Sequence, residues 1–351
     1  MYKAISLFSG AGGDTLGMIN ADIDVVGYIE MDKDAIATHE ANFSNCKCIG
    51  TDITKIDSLE FEKYKGEIDI IFGGFPCQSF SHGGKKNAKD RRGFLYQEFV
   101  RCANVIQPKI IIGENVKGLL SRKTEEGELF LDKIIKNFTD IGYSMKISTF
   151  NMKNYGIPQD RERIIIYGIR KDLNININLN NIEFSDHKVT IKDILEDSLE
   201  NSINVKKKNI IDLFPSDALI VEEKSIEGKP PTNLVKCYNN NELSFKKRSK
   251  CTYSCIVDKN DVSRTILSTY GRMPRLFIPV VQKQDEKLEY YLRPYTVREL
   301  ARIQGFPDSF IFKGKYLQQV VQIGNAIPPI FVKKIFEYIV QILNGDILEI
   351  I

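Results

Sequence analysis

Four short apolar runs punctuate the start of the chain: AISLF (4–8), DVVGYIE (24–30), IDIIFGG (68–74) and KIIIGEN (109–115). They are apolar at successive positions, not at alternate ones, as expected of strands buried on both faces of a parallel sheet. Between them lie segments with the mixed polar and apolar texture of helices, DKDAIATHEANF and LYQEFVRCANVIQ. A further strand-like run precedes GTDITKI. YSMKISTFN (143–151) and ERIIIYGIR (162–170) read as two more strands, close enough in sequence to form a hairpin. Strands alternating with helices predict an α/β fold with a doubly wound, mostly parallel sheet.

The rhythm changes after Arg170. NININLNNIEF (174–184) alternates Asn with Ile, which suits either an edge strand or a compositionally biased linker. Beyond it come isolated charges, KKK at 206–208 and KKRSK at 246–250, with the short strand-like runs RTILS and RLFIPVV. Helical texture returns in TVRELARIQ and PPIFVKKIFEYIVQIL, where Pro328 and Pro329 suit a helix start. The pattern predicts a catalytic, cofactor-binding domain over 1–172 and a smaller second domain over 173–312. A C-terminal helix, 313–351, then returns to the first domain.

Composition narrows the class. With 42% apolar and 27% charged residues in a chain of 351, a substantial core is expected. No window nears eighteen unbroken apolar residues and the start lacks a signal-peptide apolar region, so a cytoplasmic protein without a membrane segment is expected. The seven cysteines are scattered and do not suggest a disulfide framework. Cys237, Cys251 and Cys255 lack a fourth ligand at zinc-site spacing, so no metal is expected. A net charge of +3 is too small to argue for nucleic acid by itself.

Two stretches carry chemistry. LFSGAGGDTLGM follows the first strand, and its glycines give a tight turn that lets a ligand approach the backbone. The spacing is not G-x-G-x-x-G, because Thr15 stands in the third glycine's place, so a pyrophosphate is disfavoured. Glu30 closes the next strand, where a carboxylate can accept both hydroxyls of a ribose. Asp52 is placed either to meet an adenine amino group or to cap a helix. An adenosine cofactor without a diphosphate favours S-adenosylmethionine over NAD.

GGFPCQSFSHGG follows the fourth strand and sets Cys77 in a glycine-flanked loop directly after Pro76. Core packing has little to offer a thiol there, whereas a proline-fixed turn can present a nucleophile. ENVKG follows the fifth strand, so Cys77 and Glu114 should face one pocket at the strands' C-terminal ends. A thiolate that adds to a ring carbon, beside a carboxyl group that shares a proton with a ring nitrogen, fits conjugate addition to C6 of a pyrimidine. Such addition gives C5 the carbanion character needed to take a methyl group.

With these residues placed, the chain resembles the DNA (cytosine-5) methyltransferases of bacterial type. The resemblance rests on LFSGAGG, GGFPCQSFS, ENVKG, GIPQDRERIIIYGIR (156–170), RPYTVRELARIQGFPDSF (293–310) and QIGNAIPP (322–329), all in the family's order. It implies a Rossmann-like methyltransferase fold with a target-recognition domain. Cys77 would attack C6, Glu114 would contact N3 and the exocyclic amine, and Asn115 would brace the nucleophile loop. Arg163 would hold the cytosine O2, and Arg161 would help position the loop of Cys77 or a nearby phosphate. Phe8, Gly10, Gly12, Glu30, Met31, Asp52, Ile53, Leu95 and Asn325 would surround S-adenosylmethionine. Met31 departs from the tryptophan found in many members, and its thioether can still cover an adenine face.

The resemblance further implies duplex DNA as partner and a cytosine flipped out of the helix. GGKKNAKDRRGFL (83–95) would close over DNA, with Ser79, Lys85, Lys86, Arg91 and Arg92 at the nucleic acid, unless this charge run is simply a solvated face. Arg272, Lys206–Lys208 and Lys246–Arg248 are candidates for contacts from the recognition segment, which would read base edges. A monomer is expected, serving a restriction–modification system with a separate endonuclease or acting as an orphan methylase. Three rivals remain: the same chemistry on tRNA, a non-catalytic DNA-binding regulator, and a nicotinamide dehydrogenase. The length of the recognition segment speaks against the first and the intact Cys77, Glu114, Arg161 and Arg163 against the second. The glycine spacing speaks against the third.

Overall fold

A computed structural model of the chain describes residues 1–76, 95–124, 126–222, 225–244, 255–284 and 287–346. Seven strands form the main sheet: β1 (Lys3–Leu7), β2 (Asp24–Ile29), β3 (Lys47–Gly50), β4 (Ile70–Gly73), β5 (Ile110–Val116), β6 (Tyr143–Asn151) and β8 (Glu162–Arg170). The two-residue strand β7 (Gln159–Asp160) lies outside this sheet. The order is β3-β2-β1-β4-β5-β8-β6, with β1 to β5 parallel along the row and β8 antiparallel to both β5 and β6. The order turns at β1, where β2 lies to one side and β4 to the other, the arrangement that opens a crevice at the strands' C-terminal ends.

Both faces of the sheet are covered, which is why the strand sequences are apolar throughout. Ala4, Ile70, Phe72, Ile110 and Ile112 face one layer, with Met18 of α1 (Gly13–Ile19) and Phe331, Ile335 and Phe336 of the C-terminal helix. Ile5, Leu7, Ile71 and Ile111 face the other, with Phe61 of α3 (Ser58–Glu62), Phe99 and Cys102 of α4 (Leu95–Ile106), and Ile134 and Phe138 of α5 (Phe130–Asp140). Helix α2 (Lys33–Asn42), capped by Asp32, completes the β2–β3 crossover.

Residues 203–293 contain a second sheet in the order β10-β13-β14-β9, and β11 also pairs with β13. Its strands are β9 (Ile203–Asn204), β10 (Leu219–Val221), β11 (Cys255–Ile256), β13 (Leu276–Gln284) and β14 (Lys287–Arg293). Val205, Ile210 of α6 (Lys208–Ile211), Leu234 of α7 (Thr232–Asn239), Phe277 and Leu292 form its small core. The strand β12 (Ser263–Arg264) pairs in parallel with β7, joining this region to the motif that precedes β8. Helices α8 (Val297–Ile303), α9 (Tyr316–Asn325) and α10 (Pro329–Asn344) close the chain.

The segment 174–184 is not an edge strand. Its alternating isoleucines do not lie along a ladder; Ile177 and Leu179 are buried in the main core. Leu179–Asn181 form a 3-10 turn there, and the amide of Leu179 donates to the Tyr167 hydroxyl. RTILS likewise pairs only through Arg264, its remaining residues forming loop and turn.

Buried ionisable groups bear on stability at two places. Arg293 and Glu299 are fully buried and form a bidentate pair with both contacts at 2.7 Å; Glu299 also accepts from the amides of Thr296 and Glu196. Replacing Glu299 with Ala leaves an uncompensated buried guanidinium, so chemical denaturation should show a loss of about 3–5 kcal/mol. In α1, Asp14 is buried beneath the glycine turn and accepts the Ser6 hydroxyl. Burial pushes its carboxyl up to about 7, outweighing that hydrogen bond and those from nearby amides. Because the folded value lies above the unfolded one, the neutral form's contribution is present at acid pH and is lost as pH rises through about 7. Asp14→Asn should therefore be more stable than the wild type at pH 8, by on the order of a few kcal/mol, with the difference shrinking towards pH 5 in thermal melts.

Candidate active site

Sheet register brings three loops to one place. Leu7 pairs with Gly73 and Gly73 with Gly113, so Phe8, Gly74 and Glu114 are the next residues on three adjacent parallel strands. A Cβ built on Gly74 would lie 4.0 Å from both the Phe8 carbonyl and Glu114 Oε2. The turn after β1, the entry to the loop of Cys77 and the carboxylate on β5 therefore converge.

The turn after β1 is shaped by left-handed backbone at Phe8, Gly10 and Gly12, with φ of 58°, 54° and 82°. A Cβ on Gly12 would meet Phe43 at 2.5 Å and His39 at 2.9 Å, so both conformation and space demand glycine there. At Gly10 the space is open. The Gly10 amide donates to Glu30 Oε2 at 2.7 Å, and the amides of Met31 and Asp32 donate to Oε1 at 2.8 Å. Three backbone donors thus fix the Glu30 carboxylate at the mouth of the turn, leaving an acceptor site on Oε2 for a hydroxyl donor. Met31 beside it is 69% exposed.

Asp52 does what a helix cap does, as Oδ1 accepts from the amide and hydroxyl of Thr54 while Oδ2 lies 3.3 Å from Lys55. The Thr54 hydrogen bond leads the interactions that hold its carboxyl below the usual range. Capping occupies Oδ1 and Lys55 faces Oδ2, so the geometry observed is that of a cap. Ile53 is buried, Leu95 begins α4 half-buried, and Asn325 ends α9 exposed. The Asn325 turn lies against the donor turn: a Cβ on Gly13 would collide with the Ile327 carbonyl and touch the Ala326 methyl at 3.5 Å.

On β5, Glu114 Oε1 lies 2.7 Å from Arg163 Nε, an ion pair in distance whose N–H is not aligned for a hydrogen bond. Both side chains are mostly buried, at 14% and 13% exposed. The pairing follows from β5–β8 register, which sets Glu114 opposite Ile165 and Val116 opposite Arg163. Asn115 donates through Nδ2 to the Phe75 carbonyl at 3.1 Å, tying β5 to the peptide just before Pro76, itself half-buried.

Arg161 is buried close enough to this pair for the charges of Arg163 and Glu114 to act on it, but it bonds elsewhere. At 1% exposed, its guanidinium donates to the carbonyls of Ile266, Gly324 and Ala326 at 3.1–3.3 Å, so it faces the protein interior and not a surface where phosphate would sit. Arg272 is exposed on the turn that follows β12, beside exposed Leu267 and Met273. Lys207 is engaged with the Tyr238 and Asn239 carbonyls, while Lys206 and Lys208 are exposed. Cys77, Ser79, Lys85, Lys86, Arg91, Arg92 and Lys246–Arg248 lie outside the described residues. Among the described residues, no three of His, Cys, Asp or Glu gather as a metal group, and no helix is long and apolar enough to cross a membrane.

Sequence reasoning passed over several buried polar side chains. His39 stacks on Tyr28 with ring centroids 3.7 Å apart, meets Thr15 Oγ1 at 3.1 Å and is pushed by burial down to about 3. Gln159 and Gln304 are wholly buried. The signal available was their place inside QDRER and ARIQGFP, motifs noted for their neighbours.

Comparison with known proteins identifies the family. The family profile described as C-5 cytosine-specific DNA methylase matches residues 2–341. The type II methyltransferase M.FnuDI of Fusobacterium nucleatum is 34% identical over 342 residues, covering 93% of this chain and 90% of that one. M.Sau96I of Staphylococcus aureus is 34% identical over 352 residues, covering 98% and 76%. Among solved structures, a putative DNA modification methyltransferase encoded within an E. coli prophage superposes with a TM-score of 0.69 at 26% identity, covering 98% of this chain and all of that one. The S. pombe Dnmt2 methyltransferase, at 18% identity and a TM-score of 0.65 over 99% of this chain and all of that one, shares the fold. A carboxylate–arginine pair and a glycine turn brought together on a doubly wound sheet, in a chain matched almost end to end, place this protein among the C-5 cytosine-specific DNA methylases, as a DNA cytosine-5 methyltransferase.

Proposed function

We propose that the enzyme methylates C5 of a cytosine flipped out of a specific duplex sequence, using S-adenosylmethionine and a transient bond between Cys77 and C6. The observation that carries this reading is the convergence of Phe8, Gly74 and Glu114, with Arg163 2.7 Å from the Glu114 carboxylate. A methyl donor at the glycine turn and a pyrimidine beside Glu114 would then be neighbours.

The donor turn fits the cofactor. The amide-held carboxylate of Glu30 can accept from a ribose hydroxyl, Met31 offers an exposed thioether to an adenine face, and Asp52 Oδ2 would take the adenine amine beside Lys55. The open space at Gly10 leaves the backbone accessible, while Phe8, Gly12, Ile53, Leu95 and Asn325 would complete the surround. When bound, S-adenosylmethionine supplies an electrophilic methyl group. Glu114 would hold a proton at cytosine N3, with Arg163 keeping the carboxylate in place and reaching O2. The Cys77 thiolate would form the C6–S bond as the C5–C6 π electrons shift towards C5. Once C5 has taken the methyl group, with S-adenosylhomocysteine as the leaving group, transfer of the C5 proton to a water base returns electrons to C5–C6 and expels the Cys77 thiolate, restoring aromaticity. Asn115 would set the loop of Cys77 and Pro76 through the Phe75 carbonyl.

We assign residues 1–172 and 313–351 to the catalytic unit and 173–312 to target recognition, with Arg272 and exposed lysines such as Lys206 and Lys208 towards DNA. Ser79, Lys85, Lys86, Arg91 and Arg92 would act with them at the backbone. The relatives' type II names support a restriction–modification role, and we take the endonuclease to be a separate protein and this chain to act as a monomer.

Bisulfite sequencing of DNA from cells expressing the chain should reveal one methylated sequence context. On a duplex carrying 5-fluorocytosine at that site, a covalent complex should form with the wild type and not with Cys77→Ser. An adduct that survives the substitution, or methylation of tRNA alone, would overturn the mechanism. Glu30→Ala should weaken cofactor binding about 10–100-fold in calorimetry with S-adenosylhomocysteine, as expected for lost hydrogen bonds to a charged group.

A further inference from the structure

A chain of buried amides joins the recognition segment to the donor pocket. The Ile266 amide donates to Gln159 Oε1 at 3.0 Å; Gln159 Nε2 donates to Gln304 Oε1 and to the Ile303 carbonyl. Gln304 Nε2 then donates to the carbonyls of Ile323 and Ala326 at 2.9 and 2.6 Å. The orientation of both side chains is forced from the ends. A backbone N–H at Ile266 requires an oxygen, and two carbonyls at the C-terminus of α9 require a nitrogen. Arg161 runs parallel to this relay, bonding the Ile266 carbonyl on one side and those of Gly324 and Ala326 on the other.

Packing at the same place is backbone against backbone. A Cβ on Gly324 would sit 2.5 Å from Ser268 N and 2.7 Å from the Leu267 carbonyl carbon. On the opposite side, Gly13 of the donor turn abuts the Ile327 carbonyl. Residues 324–327 are therefore held between the exit of β12 and the donor turn, with no compressible side chain on either contact. Displacing the 266–268 peptide must move this turn or break the relay, because packed interiors transmit strain. Just beyond lie the exposed residues Leu267, Arg272 and Met273.

We propose that Gln304 is a positioning residue that couples the two sites, so that cofactor at the donor turn and DNA at the 267–273 segment tighten one another. This rests on the reading of those sites given above. Coupling is reciprocal by thermodynamic necessity. Gln304→Met keeps similar volume and removes the bonds from Gln159 and to the Ile323 and Ala326 carbonyls, leaving those of Gln159 to Ile266 and Ile303.

The test measures S-adenosylhomocysteine affinity by calorimetry, with and without a duplex containing the site mapped by bisulfite sequencing. In the wild type the duplex should tighten binding by about tenfold, within the usual range of coupling. In Gln304→Met that ratio should fall to within about twofold of one, while affinity without DNA changes by less than about threefold. The KM for S-adenosylmethionine should rise with kcat little altered. A merely structural residue would lower the melting temperature and weaken both affinities while leaving their ratio intact. An unchanged ratio in the variant, or a ratio near one in the wild type, overturns the proposal.

Hydrogen exchange on the wild type gives a readout that needs no variant to fold. S-adenosylhomocysteine alone should slow exchange of the 266–268 amides, and no change there overturns the coupling. Failure of the underlying reading looks different: the ligand would not bind the wild type, or Glu30→Ala would bind it equally well.

Discussion

Register in the parallel sheet is the constraint on which the rest of this molecule depends. Because β1, β4 and β5 are buried on both faces, a slip of one residue would exchange the side chains meant for α1 and α10 with those meant for α3, α4 and α5. That burial fixes Leu7, Gly73 and Gly113 in one row. The active-site row follows from it with no further adjustment, since each strand simply runs one residue further. The antiparallel strand β8 adds the last piece by bringing Arg163 back along β5 to Glu114. A hydrophobic requirement thereby sets the relative positions of polar groups whose own attraction would be too weak to order three loops.

Glycine does different work at different points of this edge. Gly12 is needed for its positive φ and for the space taken by Phe43 and His39. Gly13 and Gly324 are needed because a backbone segment passes where a side chain would be. In the first case the chain must turn; in the others two secondary structures must touch. The donor turn consequently rests on the α9–α10 connection and not on solvent, so its shape depends on residues three hundred positions away.

What could be read from the sequence follows from the same physics. Buried parallel strands announce themselves by unbroken apolar runs, and the runs at 4–8, 24–30, 68–74 and 109–115 all form strands of the main sheet, whereas the shorter RTILS pairs only through Arg264. Glu30 and Glu114 drew notice because a carboxylate at a strand end has few structural reasons to be there, whereas Arg163 stood out only through the family resemblance. The Asn–Ile alternation at 174–184 misled because period two describes the sequence and not the partner. With Leu179 held by Tyr167 and Ile177 pressed into the core, no neighbouring strand is required. Buried polar residues were the least visible, since nothing in a one-dimensional pattern distinguishes Gln304 from a surface glutamine.

The buried polar residues share a position: they lie between layers and not within one. Asp14 and Ser6 sit between α1 and β1, His39 and Thr15 between α2 and α1, and Gln159, Arg161 and Gln304 between β7, β12, α8 and α9. Apolar contacts would hold these layers together equally well but would let them slide, because hydrophobic attraction has no direction. Hydrogen bonds to backbone atoms do have one, and an unmade bond in a buried place is costly. The sheet's apolar faces thus account for cohesion, and the buried amides and guanidinium for alignment. A methyl group that must meet one ring carbon depends on the second at least as much as on the first.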